Sequence, residues 1–153
     1  MTAPVKVLYT PDILALAVSL ADWPISADMP HQAELRSQSC GSVVRVGLAL
    51  DTRGHIALFG VEAQACALGQ ASAAVLAASV IGQEREALVG ARDALAAFFS
   101  GHRGDPGEWP GVEHLASALP YPARHGSILL PWRAVVAALD GAGGAGNSQM
   151  GAN

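Results

Sequence analysis

Val43-Val44-Arg45-Val46-Gly47-Leu48-Ala49-Leu50, then Asp51-Thr52-Arg53-Gly54, then His55-Ile56-Ala57-Leu58-Phe59-Gly60-Val61-Glu62: this stretch decides the fold. The first run places Val44, Val46, Leu48 and Leu50 on one face, the period-two pattern of a half-buried strand. The four residues after it read as a turn with glycine in its last position. His55 to Glu62 then returns as a second strand. Upstream, Gln32 to Ser39, with Leu35 between Glu34 and Arg36, is a strand polar enough to lie at a sheet edge. Three sequential strands with short links imply an antiparallel meander.

Helices flank the meander. Residues 9–20 form the first, with Thr10 as N-cap and Pro11 as the first helical residue. Trp23-Pro24 and Met29-Pro30 end it. Cys66 to Ile81 is the second helix, closed by Gly82, and Glu84 to Ser100 the third, closed by Gly101. A loop over 101–111, a short helix over Val112 to Leu119 and a stiff Leu119-Pro120-Tyr121-Pro122 connector lead to a last helix from about Ser127 to Leu139. Ser127 is expected as its N-cap. The reading is α+β: a three-stranded antiparallel meander with helices packed on one face. One domain is expected over residues 1–140, followed by a disordered Gly- and Ala-rich tail over 141–153.

Composition narrows the function. Apolar residues at 51% and charged residues at 14% exclude global disorder. A net charge of −4, with no cluster of Lys or Arg, argues against nucleic acid as a partner. The uncharged stretch Ala63 to Gln83 is mostly alanine and contains Gln64, Gln70, Ser72 and Ser79, so it reads as a buried helix and not a bilayer span. The N-terminus lacks a charged region followed by an apolar one, so no signal peptide is expected and the location reads as cytoplasmic. There is no P-loop, dinucleotide fingerprint or Ser-His-Asp constellation, and the chain does not read as an enzyme.

Chemistry concentrates on two cysteines. Cys40 lies in Ser39-Cys40-Gly41-Ser42, just before the central strand, and Cys66 at the start of the alanine-rich helix. A helix N-terminus favours a thiolate, and thiolates bind soft metals and accept sulfur. Two cysteines do not make a disulfide framework, and reduced thiols are the default reading. His125 lies near the start of the last helix and is a third candidate, since a neutral imidazole ligates zinc or iron.

This order of elements, with Cys-Gly before the central strand and a second Cys at the following helix 26 residues on, resembles the U-type iron–sulfur cluster scaffolds (the IscU, SufU and NifU N-terminal family). Tyr9 to Asp12 is similar to that family's N-terminal segment. Tyr121-Pro122-Ala123-Arg124 and Leu130-Pro131-Trp132 are similar to its SufU-type C-terminal pattern. The resemblance covers about residues 8–140. It implies a scaffold binding iron, a [2Fe–2S] cluster or zinc through Cys40 and Cys66, with His125 as a further metal ligand. It also implies a cysteine desulfurase or other cluster-assembly proteins as partners, and a homodimer as one route to four thiolates.

The departures from the pattern are specific. Ser42 stands where the family has aspartate. One register puts Ser127 at the family's third cysteine, and the other puts Gly126 there with His125 at the family histidine. Either way the third thiol, which in the family receives persulfide sulfur, is missing. The alternative function is a degenerate paralogue that no longer binds metal and serves as a protein-interaction module.

Overall fold

A computed structural model of the chain describes residues 9–38 and 41–143. Helix α1 covers Pro11–Ser19 and continues into a 3-10 turn, Leu20–Asp22. The Thr10 hydroxyl accepts from the Ile13 amide at 3.2 Å, so the expected cap is made. Three strands follow, β1 (His31–Arg36), β2 (Val43–Leu50) and β3 (Ile56–Gln64), in the order β1-β2-β3 with both pairings antiparallel. The expected meander is therefore present. β1 starts one residue earlier and ends three residues earlier than the expected Gln32 to Ser39, because the chain closes a local turn from Ser37.

The turn between β2 and β3 has a clear chemical origin. One Asp51 carboxylate oxygen accepts from the amides of Arg53 (2.8 Å) and His55 (2.9 Å), and Gly54 supplies the positive φ of +85°. Those amide donors, His55 first, hold the Asp51 carboxyl below its usual value of 3.8.

Helices α2 (Ala67–Ser79), α3 (Arg85–Phe99) and α4 (Pro122–Gly143) follow, with a 3-10 segment, Val112–Ala118, before the last. α4 lies against β1 and β2, and α2 against β3. Val44, Val46 and Leu48 are fully buried on this helical face, together with Leu68, Leu76, Ile128 and Trp132. The opposite face is covered in part by residues 23–30. Gly47 and Gly60 pair across β2 and β3, and that chain segment rests on them. A Cβ on Gly60 would stand 2.4 Å from the Pro24 carbonyl oxygen. The Val61 amide donates to the Trp23 carbonyl at 2.9 Å, covering the outer edge of β3.

The last helix departs from the expectation. It begins at Pro122, five residues before Ser127, and runs through Gly143. Proline suits a first helical position, so the Pro122 read as part of a stiff connector opens the helix instead. Ser127 is consequently an interior residue whose side chain is buried, not an N-cap. Pro131 is accommodated inside the helix, where it supplies no amide donor. The expected tail from 141 is helical as far as 143, and its remainder lies outside the described residues.

Candidate metal and sulfur site

Cys66 is the N-cap residue of α2, with extended backbone (φ −65°, ψ 170°) and a side chain that makes no capping hydrogen bond. It is a free, half-buried thiol. Its sulfur lies 3.7 Å from the Ser127 hydroxyl, and that hydroxyl also bonds to the Ser42 hydroxyl at 3.2 Å. Ser42 and Ser127 are 6% and 2% exposed, so two buried hydroxyls from β2's approach and from α4 converge on the thiol at the start of α2.

Gly69 makes this approach possible. A Cβ there would stand 2.3 Å from the Ser127 oxygen and 2.8 Å from the Ala65 Cβ. A glycine in the first turn of an alanine-rich helix is unfavourable by about 1 kcal/mol on propensity. That local anomaly was the available sequence signal for a close crossing of α2 and α4. Below it, the Ser72 hydroxyl donates to the Ile128 carbonyl (2.6 Å) and accepts from the Trp132 indole (2.9 Å), pinning the same two helices.

The loop that precedes β2 is closed by backbone bonds: the Ser37 amide donates to the Ser42 carbonyl at 2.8 Å and the Gly41 amide to the Ser37 carbonyl at 3.1 Å. Gly41 takes a positive φ of +76°. Cys40 itself lies outside the described residues.

His125 sits elsewhere. Its Nε2 pairs with the Ala118 carbonyl at 2.8 Å, and its ring stacks on Phe99 with centroids 4.1 Å apart. Two residues along a helix is a rotation of about 200°, so His125 and Ser127 leave α4 on different sides. Of the two registers, the one that equates Ser127 with the third cysteine agrees with the contacts, since Ser127 and not Gly126 meets Cys66. Among the described residues no three His, Cys, Asp or Glu side chains converge at metal-binding range. No helix among them is long and apolar enough to cross a membrane.

The fold has close counterparts among solved structures. The N-terminal domain of a NifU-like protein from Brucella abortus superimposes with a TM-score of 0.82 at 32% identity, over 90% of this chain and 96% of that one. The chain belongs to the U-type scaffold family. A second U-type structure, a candidate iron–sulfur cluster assembly scaffold protein for the SUF system from Fervidobacterium islandicum, shares the fold at a TM-score of 0.77. Its identity is 22%, over 86% of this chain and 96% of that one. No protein-family profile and no curated protein matches the chain.

Proposed function

We propose that this U-type domain is an iron–sulfur cluster assembly scaffold-like protein whose site is built on Cys40 and Cys66. Iron, a [2Fe–2S] cluster or zinc is its cargo. The supporting observation is the contact of Cys66 with Ser127 and, through it, with Ser42. Cys40 is two peptide units from Ser42, so its Cα is within about 7.6 Å of that residue's Cα. Two thiolates suit a soft metal, whereas serine hydroxyls are harder, weaker ligands for it. Zinc accepts two thiolates with further ligands from solvent or a partner. An all-thiolate cluster normally takes four cysteines, two more than one chain offers. His125 joins as a third metal ligand only by giving up the Ala118 carbonyl and its stack on Phe99. A cysteine desulfurase or another cluster-assembly protein is the partner class, and the reducing cytoplasm is the setting for free thiols.

Anaerobic reconstitution tests this reading. The wild-type protein is expected to retain iron and sulfide, or zinc, with the visible absorption of thiolate-bound iron. The Cys40→Ala, Cys66→Ala variant is expected to retain none. Equal metal in both proteins rejects the reading.

One observation favours the second reading, an interaction module without metal. The Ser127 hydroxyl meets both the Ser42 hydroxyl and the Cys66 sulfur, so these polar groups have partners within the chain. On that reading Cys40→Ser, Cys66→Ser leaves partner binding and cellular phenotype unchanged.

A further inference from the structure

Helix α1 is apolar over most of its circumference, with Asp12 in its first turn and Ser19 at its end the polar residues. Ile13 and Leu20 face the core, yet Leu14 and Val18, one turn apart, are 48% and 79% exposed. Beside them a groove of about 370 Å³ runs between α1 and the end of β3. It is lined by Ala17, Ala21, Pro24, Val61, Glu62 and Gln70. Gln70 lies one turn along α2 from Cys66. A surface helix normally keeps a polar face toward water, and one that is apolar all round is usually covered.

Charge indicates what covers it. Residues 9–35 contain Asp12, Asp22, Asp28 and Glu34 and no Lys or Arg. Asp22 is exposed at the C-terminal end of α1's 3-10 extension, where the helix dipole disfavours a carboxylate. Among the described residues it has no ion-pair partner, and Asp12 has only His114, at 3.9 Å. Of Asp12, Asp22 and Glu62, the described carboxylates bordering this face, Glu62 alone pairs with an arginine, Arg45 at 3.0 Å.

We propose that the outer face of α1 and its groove dock an amphipathic helical segment of a partner protein, with an apolar seam flanked by Lys or Arg. The seam covers Leu14 and Val18, and the flanking cations meet Asp12 and Asp22. A second copy of the chain fits poorly, because it would set acid against acid. An anionic bilayer would be repelled by the same carboxylates.

The test uses the full chain and a fluorescent synthetic helix with a leucine seam and lysine flanks, read by anisotropy, with amide shifts locating the contact. Binding is expected at α1 and the groove. Leu14→Ser, Val18→Ser and, separately, Asp12→Asn, Asp22→Asn are each expected to weaken it by about tenfold or more. All four side chains are exposed, and circular dichroism checks that the fold is kept. A twin peptide with glutamate flanks is expected to bind at least about tenfold more weakly. Cys40→Ala, Cys66→Ala is expected to leave binding intact, which separates this surface from the metal reading. Three results overturn the proposal: equal affinity for the Leu14/Val18 variant, equal binding of the two peptides, or shifts away from α1. A wild-type dimer in sedimentation that Leu14→Ser, Val18→Ser dissolves would assign the face to a second copy and overturn it as well.

Discussion

Ser127 meets Cys66 and Ser42 from inside α4, so its hydroxyl stands where a thiol would meet the same neighbours. Serine and cysteine differ by one atom, and the backbone needs no change to present either. Ser127→Cys is therefore expected to tighten zinc binding by at least about tenfold, or about 1.4 kcal/mol, in competition with a chromophoric chelator. Gly126→Cys is expected to leave it unchanged, because residue 126 is not the one in contact with Cys66. If Gly126→Cys tightens zinc and Ser127→Cys does not, the register is wrong. Gly69 gives a second prediction. Alanine there gains about 1 kcal/mol of helix propensity, but its Cβ would stand 2.3 Å from the Ser127 oxygen. Overpacking of this kind typically costs about 1–3 kcal/mol, so a lower urea midpoint is expected for Gly69→Ala, together with displacement of Ser127 from Cys66. Cys66, Ser42 and Ser127 could be picked out by eye from their motifs. Their meeting could not, because it depends on a crossing of α2 and α4 that no local pattern encodes.

The elements differ in how much of their length was readable, and the reason is local chemistry. β2 announces itself by strict alternation, and α1 by Thr10-Pro11, because both signals act within a few residues. The start of α4 was misplaced because Pro122 carries two meanings, a stiff connector after Pro120 or a first helical residue, and tertiary packing chooses between them. Pro131 sharpened the ambiguity. The helix tolerates it beside a buried network in which Ser72 serves the Ile128 carbonyl and the Trp132 indole. Ser72→Ala would leave that indole donor buried without its acceptor, at a cost of about 1–3 kcal/mol, measurable by urea unfolding followed through tryptophan emission. An unchanged midpoint would mean that another group takes over. In the β2–β3 turn the effect is electrostatic. Asp51 is held below 3.8 in the folded state by the His55 and Arg53 amides. Its ionised form therefore adds stability above that pH, and the contribution is lost as pH falls through the depressed value. Asp51→Ala is expected to unfold at lower urea than wild type at pH 7, with the gap closing toward acid. A gap that does not depend on pH would assign the effect to the turn's shape and not its charge.

At the scale of the whole molecule, the sheet is enclosed on both faces, by helices on one and in part by residues 23–30 on the other, against Gly47 and Gly60. The helices pack on one face, as read from the element order, and residues 23–30 add a partial, non-helical cover on the other. The glycine pair that admits the second layer is visible only once β2 and β3 are in register. This closed body carries two cysteines in its whole sequence, so the cargo it can complete alone is limited. Zinc needs two thiolates plus solvent or partner ligands and can be held by one chain, whereas a [2Fe–2S] centre with four thiolates needs two chains or an added thiol. Reconstitution in a thiol-free buffer is therefore expected to give one zinc per chain but one [2Fe–2S] cluster per two chains. Native mass spectrometry should then show monomers with zinc and dimers with the cluster. Adding a small thiol such as glutathione should shift the cluster-bound species toward monomers, because the external thiolates take the partner chain's place. A cluster held by single chains without added thiol would mean that oxygen or nitrogen ligands from this chain complete the site. His125 would then be the first residue to replace with alanine.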